Sequence, residues 1–364
     1  MIQLRDRTSA DKILQRLASM NLNLTLMHVC GTHQDTIVRY GLDTLLKDCG
    51  VKIRQGPGCP VCVTTATEIE EAVTLARRGK TVATYGDMLR VPGASGSLAD
   101  ARSEGAKVKV VYSITDAVKL AEQTEDEVVF VAIGFETTAP STAITLLGKT
   151  PGNFSVLSCH RYLPPALEAL LGMGELKLQG IIEPGHVSTI IGTKPYEEIS
   201  KKYRLPQVIA GFEPLDVLMA VYMIARQVQT SKAIVENEYS RTVREEGNPR
   251  AVKALSEVFK PGDSKWRGFP SIPRSKMKLK SEFAASNAEE RFSDDLKTVI
   301  GTEFSEPAGC GCDRVLRGLM EPQECALFGE ACTPQRPVGA CMVSMEGSCN
   351  IEYRYRRPSL AQSR

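Results

Sequence analysis

The chain has 364 residues, 42% of them hydrophobic, and its 45 Lys and Arg nearly balance its 43 Asp and Glu. At about 100–200 residues per domain this length predicts two or three packed domains, and the composition excludes a mainly disordered chain. A net charge of +2 without a basic cluster predicts no nucleic-acid partner, and the lack of a long apolar run or signal-peptide core predicts a cytoplasmic protein without a membrane partner.

Short apolar runs recur along the first two thirds of the chain, each followed by a Gly- or Pro-bearing loop and a helix-like stretch. They lie at residues 22–27, 51–53, 81–84, 108–112, 128–133, 154–157, 180–182 and 208–210. Brief β-rich runs separated by helices are typical of parallel sheets with helices on both faces. The pattern therefore predicts an α/β fold with its chemistry at the carboxyl ends of the strands.

Three domains are predicted. The segment IGFE at residues 133–136 is echoed by AGFE at 210–213, which suggests two parallel-sheet α/β domains of approximate internal similarity. We place these domains at residues 1–115 and 116–240. An irregular connection rich in charged residues, Pro and Gly follows, and residues 241–364 are predicted to form a cysteine-rich iron–sulfur domain that a metal centre stabilises.

The loop HVCGTHQ at residues 28–34 follows the first apolar run. Cys30 and His33 are three residues apart in a predicted strand-to-helix loop, where both can reach one metal ion and the helix N-terminus would lower the pKa of the thiol. The alternative is a buried cysteine beside a hydrogen-bonded histidine. Because two of only four histidines lie in this loop, we keep both interpretations.

The loop GPGCPVC at residues 56–62 carries a second candidate group, Cys59 and Cys62. Thr65 and Glu68 have the spacing of a capping box, so the C-x-x-C sequence is predicted to open a helix, where a thiolate is stabilised. The prolines and glycines are expected to leave the two cysteines near a surface. We favour a redox dithiol, and half of a zinc site is the alternative.

Two further loops, GFETTAP at residues 134–140 and EPGHVS at 183–188, place polar groups after apolar runs. Glu136, Thr137 and His186 are predicted to line one cleft and to supply hydrogen bonds or a proton relay. The alternative is that such residues are helix caps or ordinary hydrogen-bonded side chains.

Eleven cysteines point to metal or redox chemistry, because a reducing compartment disfavours structural disulfides. Four near the C-terminus offer a set of soft ligands: Cys310, Cys325, Cys332 and Cys349. Cys312 and Cys341 are further candidate ligands, and the spacing leaves open whether Cys310 or Cys312 is the fourth ligand. The wide gaps match neither a zinc ribbon nor the compact ferredoxin run, and we favour an iron–sulfur cluster over zinc.

The motifs taken together resemble the HypD family of [NiFe]-hydrogenase maturation factors, over residues 28–355. The resemblance rests on HVCGTH at 28–33, GPGCPVC at 56–62, GFETTAP at 134–140, PGHVS at 184–188 and the run from Cys332 to Cys349. It implies an assembly scaffold rather than a turnover enzyme. On this scaffold, with the small chaperone HypC, an iron atom receives cyanide and carbon monoxide to form the Fe(CN)2CO group of the hydrogenase large subunit.

The resemblance also assigns roles to residues. It implies that Cys30 is the Fe(II) site residue with His33 beside it, and that Cys59 and Cys62 are a redox-active dithiol. The C-terminal cysteines would hold a [4Fe–4S] cluster that passes electrons to this dithiol. HypE, supplied by HypF, would be the cyanide donor, while Glu136, Thr137 and His186 would orient ligands or move protons.

Two other functions remain open at this point: an iron–sulfur-dependent thiol/disulfide oxidoreductase and a zinc-stabilised binding protein. They differ from the scaffold in what Cys30 does, since a reductase should retain dithiol turnover without it. Cys49 and Cys159 have no assigned role and are expected to be small buried hydrophobic residues.

Overall fold

A computed structural model describes residues 5–356, and within this range eleven strands form three sheets. The strands are β1 (Leu24–His28), β2 (Val51–Gln55), β3 (Thr81–Thr84), β4 (Val108–Val110), β5 (Val128–Gly134), β6 (Phe154–His160), β7 (Gly180–Pro184), β8 (Gln207–Ala210), β9 (Val235–Asn237), β10 (Phe259–Lys265) and β11 (Ser271–Leu279). Each of the eight predicted apolar runs overlaps a strand, so the α/β prediction is confirmed.

Helices cover the sheets and connect the strands. The first nine are α1 (Arg7–Ala18), α2 (Gly31–Arg39), α3 (Leu42–Asp48), α4 (Pro60–Val63), α5 (Ala66–Arg77), α6 (Leu98–Ser103), α7 (Ile114–Glu122), α8 (Ala139–Leu147) and α9 (Leu163–Met173). The others are α10 (Gly185–Ile191), α11 (Lys194–Tyr203), α12 (Pro214–Gln229), α13 (Pro249–Val258), α14 (Ala288–Arg291), α15 (Ser293–Leu296), α16 (Cys312–Leu316), α17 (Ala340–Val343) and α18 (Ser348–Tyr355). Short 3-10 helices span Gly86–Arg90, Ser281–Ser286 and Pro322–Glu324. No helix between residues 5 and 356 has the length and apolar character needed to cross a bilayer.

Two parallel sheets form the framework. One has five strands in the order β2-β1-β7-β8-β9, and the other has four in the order β4-β3-β5-β6. All seven residues of β5 and of β6 are buried, as expected for parallel strands with cover on both faces. The candidate loops follow β1, β2, β5 and β7, which confirms that they lie at the carboxyl ends of strands.

The predicted boundary between residues 115 and 116 falls between β4 and β5, two strands of the same sheet, and the division into domains stays a prediction. The chain leaves the five-stranded sheet after β2, builds the whole four-stranded sheet, and returns at β7, where Leu26 pairs with Gly180. A short apolar run carries no information about its distant partner, so the sequence pattern located the strands without assigning them to sheets. The predicted internal similarity of the two units stays a prediction.

The segment after β9 is more ordered than the irregular connection that the sequence predicted. β10 and β11 form an antiparallel hairpin that packs against β6, with the Ser158 hydroxyl donating to the carbonyl of Met277. Lysines and two prolines in these strands obscured the alternation of buried and exposed positions in the sequence. Beyond the hairpin, residues 281–356 form short helices and turns. They share one hydrophobic core with the two sheets, and their standing as a separate domain stays a prediction.

Candidate functional site

Cys30 lies at the start of α2, directly after β1, and only 2% of its surface is exposed. Its Sγ is 3.8 Å from Nδ1 of His186, which lies in the first turn of α10 after β7. Because β1 and β7 are neighbours in the sheet, residues 156 positions apart meet at its carboxyl edge. The imidazole that contacts the Cys30 sulfur is therefore that of His186.

Burial controls the protonation of this pair. It raises the pKa of Cys30 to about 12 and lowers the pKa of His186 to about 4. Desolvation of the thiolate is the larger effect, and it outweighs the backbone N–H groups of Thr32 and His33 in the first turn of α2, which act to lower this pKa as the sequence predicts. At neutral pH the pair is a thiol and a neutral imidazole, and a bound cation is what would convert this thiol to a thiolate.

His33 lies on the same helix as Cys30 but is directed into the interior. Its Nε2 is 2.8 Å from the carbonyl oxygen of Gly211, so Nε2 donates to that oxygen. Its Nδ1 is buried and has no hydrogen-bond partner among residues 5–356. The ring of Phe212 packs against both histidines, with centroids 5.2 Å from His33 and 5.3 Å from His186. Phe212 thus contacts both imidazoles.

Cys59 and Cys62 form a disulfide with Cα atoms 5.2 Å apart. Cys59 caps α4, with its sulfur accepting from the backbone N–H of Cys62. The predicted capping box of Thr65 and Glu68 is confirmed at the start of α5. The expected surface position was wrong: both cysteines are buried in the core, because α4 is covered by helices from the C-terminal region.

The disulfide loop touches the Cys30 loop. A Cβ added to Gly58 would lie 2.2 Å from the backbone nitrogen of Cys30, so only glycine permits this approach. The N–H of Gly31 donates to the carbonyl of Gly58 at 3.3 Å. The sulfur at residue 30 and the disulfide are therefore held on adjoining backbone.

Two buried acids lie at the carboxyl ends of strands. Glu136 follows β5 and accepts from the N–H of Leu163 at 3.0 Å, and burial raises its pKa to about 7. Glu183, at the end of β7, is fully buried, and burial raises its pKa to about 8. Both carboxyl groups interact electrostatically with Tyr196, as does Cys30. Thr137 beside Glu136 is half-buried.

The C-terminal cysteines converge. Five of them line one small cavity together with Leu327, Phe328 and Met342: Cys310, Cys312, Cys325, Cys332 and Cys349. A Cβ at Gly339 would lie 2.5 Å from the sulfurs of both Cys310 and Cys312, so glycine leaves room for them. Cys341 lies outside this cavity lining, and its thiol interacts with Cys312 and Cys349.

Within residues 5–356 no group of three or more His, Cys, Asp or Glu side chains has the geometry of a metal-ion site. An iron–sulfur cluster sets a different requirement. A [4Fe–4S] cluster takes one thiolate per iron and so needs sulfurs spread around a volume with apolar walls. The cysteine cavity meets that requirement with five sulfurs, and both Cys310 and Cys312 line it.

Helix contacts link the three sulfur groups. The disulfide helix α4 packs against α16 and α17, which begin near Cys312 and Cys341. The helix α18, whose first turn holds Cys349, packs against α2, which Cys30 precedes. Asp35 and Arg354 form an ion pair of 3.1 Å between these two helices. The disulfide loop and its helix thus contact both the Cys30 loop and the helices of the C-terminal cysteines.

Comparison with known proteins shows the family of the chain. The family model HypD, described as the hydrogenase formation hypA family, matches residues 7–356. The chain belongs to the HypD family. It is 48% identical over 364 residues to a putative hydrogenase expression/formation protein of Methanocaldococcus jannaschii, covering 98% of this chain and all of that one. It is 43% identical over 379 residues to the hydrogenase maturation factor HypD1 of Bradyrhizobium diazoefficiens, covering 100% and 98% of the two chains.

Several residues of this HypD-family site were missed by sequence reasoning. Glu183 lies at the end of β7 and Phe212 follows β8, and the rule that chemistry lies at the carboxyl ends of parallel strands was a usable signal for both. Tyr196 lies within α11 and Arg267 in the β10–β11 turn, where no local pattern marks them. Cys49 and Cys159 are buried free thiols, as expected.

Proposed function

We propose that this HypD-family protein is a hydrogenase maturation scaffold that holds an iron atom at Cys30 while cyanide and carbon monoxide are attached to it. The observation that carries the proposal is the contact of the Cys30 sulfur with His186 beside the Cys59–Cys62 disulfide. A soft thiolate suits iron bearing strong-field ligands, and the 2% exposure of Cys30 would shield such an ion from water.

The second part of the proposal concerns electrons. Cys325, Cys332, Cys349 and either Cys310 or Cys312 would hold a [4Fe–4S] cluster, and this cluster would supply one-electron redox chemistry when bound. Support comes from the shared cavity of these cysteines and from the packing of α4 against α16 and α17. Cys59 and Cys62 would take two electrons and two protons to become thiols.

The third part concerns protons and ligand positioning. Glu136 and Glu183 are buried acids whose raised pKa values, about 7 and about 8, keep a proton available near neutral pH. His186 would orient the iron through the Cys30 sulfur, and we assign His33 a role in fixing the loop through Gly211. Glu136→Gln with full hydrogenase maturation would remove Glu136 from this role.

The partners in this proposal are other maturation proteins. A HypC-type small chaperone would contribute a second anchor for the iron, and HypE would donate cyanide. The iron centre would then pass to the hydrogenase large subunit. The names of the relatives, which include hydrogenase maturation factors, support a place in that process.

A test of the scaffold compares Cys30→Ala with Cys49→Ala, the removal of another buried free thiol. Each variant is co-purified without air with its HypC-type partner, and its iron content and hydrogenase maturation are measured. We expect Cys30→Ala to lose maturation and the iron in excess of the cluster, and Cys49→Ala to retain both. Retention of both by Cys30→Ala would overturn the proposal and favour a disulfide reductase.

A further inference from the structure

Arg267 is a buried cation between the disulfide helix and the C-terminal cysteines. It lies in the turn between β10 and β11, and its side chain has no exposed surface. Its Nε and Nη2 both donate to the carbonyl oxygen of Thr64, at 3.1 and 2.8 Å. Its backbone N–H donates to the carbonyl of Val63, the last residue of α4, at 2.9 Å. Arg267 is thus bonded to the chain that directly follows Cys62.

The same turn packs against the cysteine region on its other side. Gly268 has a φ of +81°, and a Cβ there would lie 2.6 Å from the Cα of Asp313 in α16. Burial lowers the pKa of Arg267. Its electrostatic interaction with Cys312, Cys341 and Cys310 acts in the opposite direction. The Cys312 thiol lowers the pKa of Cys310 to about 6, and Arg267 acts in the same direction.

The charge of Arg267 is only partly balanced. Its ion-pair partner, Glu306, has a side chain that is 36% exposed, so solvent screens the carboxylate more than the guanidinium. A guanidinium stays protonated even when buried. Fixed charge nearby is one of the quantities that set the potential of an iron–sulfur cluster, and burial strengthens its effect.

We propose that Arg267 is a positioning residue that raises the reduction potential of the cluster held by the C-terminal cysteines and links that cluster to the Cys59–Cys62 loop. The inference rests on the proposed function, because it requires the cluster. Reduction adds negative charge to the cluster, and a buried cation beside its ligands stabilises that charge. The hydrogen bonds to Thr64 fix the distance between the cation and the disulfide helix.

The test is a redox titration of the full chain, purified without air, followed by visible absorption and electron paramagnetic resonance of the reduced cluster. Arg267→Met removes the charge and keeps the length of the side chain. We expect its reduction equilibrium to shift toward the oxidised cluster at least about tenfold, which is about 59 mV for one electron. Arg267→Lys keeps the charge and should shift the equilibrium by less than half as much.

Glu306→Gln supplies a control in the opposite direction, since it removes the acid that balances Arg267 at a partly exposed position. Its cluster should be easier to reduce than that of the wild type. Unchanged potentials in both Arg267→Met and Glu306→Gln would overturn the inference. If Arg267→Met fails to retain the cluster, the change in reduction potential in Glu306→Gln alone tests the inference, and an unchanged potential in that variant overturns it. A wild-type chain without any cluster would instead overturn the proposed function.

Discussion

The two sulfur-bearing regions of the molecule are built differently. Cys30 and the Cys59–Cys62 disulfide lie on loops fixed by neighbouring parallel strands, β1, β2 and β7. The C-terminal cysteines lie on short helices and turns. The one β-bridge that joins two residues of the range 281–356 is that between Phe328 and Cys332. The first region is shaped by strand pairing, whereas the second has little regular structure around its sulfurs.

This difference in regular structure indicates how each region would reach its functional geometry. Strand pairing brings Cys30 to His186, so the sheet would preorganise the proposed iron site. In the C-terminal region, raised pKa values caused by burial and neighbouring thiols disfavour thiolates at Cys332 and Cys349. A bound cluster would compensate for this cost, so we infer that ligand binding contributes directly to folding there.

Removal of the cluster should give the largest contrast between the two regions. After chelation of iron without air, we expect amide hydrogen exchange across residues 310–349 to become faster by about 100-fold or more, because bonds to the metal no longer oppose local unfolding. Exchange in β5 should stay within a few-fold of its starting rate. Equal acceleration in both places would contradict the comparison.

Gly58→Ala tests the preorganised region. The added Cβ would lie 2.2 Å from the Cys30 nitrogen, and relief of this overlap should cost about 1–3 kcal/mol of unfolding free energy. It should also reduce iron retention, because the Cys30 and disulfide loops would separate. Gly152→Ala is the matched control, since nothing lies within 4 Å of its added Cβ. Urea denaturation and iron analysis measure both effects. A Gly58→Ala protein as stable as the control would contradict the claim that the approach of Gly58 to Cys30 requires glycine.

The stability of the folded chain should depend on pH through Glu183, a buried acid in the five-stranded sheet. The pKa of Glu183 is about 8 in the folded state against an ordinary value of 4.5, so between these values the folded chain binds more protons than the unfolded one. Its contribution to stability is therefore lost as pH rises, at up to about 1.4 kcal/mol per pH unit. Urea denaturation at pH 6 and 7 should show this slope flattened in Glu183→Gln and unchanged in Glu168→Gln, an exposed control.

Much of the framework could be predicted from the sequence because it depends on local signals. Continuous apolar runs gave the eight strands, and the Thr65 and Glu68 spacing gave the capping box that begins α5. The candidate loops were correctly placed after strands, since ligand sites of open α/β sheets follow a topological rule.

The rest depends on contacts that local patterns do not encode. The assignment of β3 and β4 to the second sheet rests on the pairing of β3 with β5 and of β4 with β3. The contact of Cys30 with His186 rests on the adjacency of β1 and β7. The burial that raises the pKa of Cys30 comes from elements distant in sequence. The position of Arg267 between two sulfur groups has the same origin, because it depends on how a hairpin packs on α4 and α16.

Infrared spectroscopy of the chain co-purified without air with its HypC-type partner tests the central claim most directly. If Cys30 anchors the iron, the wild-type complex should show bands of iron-bound cyanide and carbon monoxide, and Cys30→Ala should show none while keeping the absorption of its C-terminal cluster. Bands of equal intensity in Cys30→Ala would show that the iron is held elsewhere and would contradict the account.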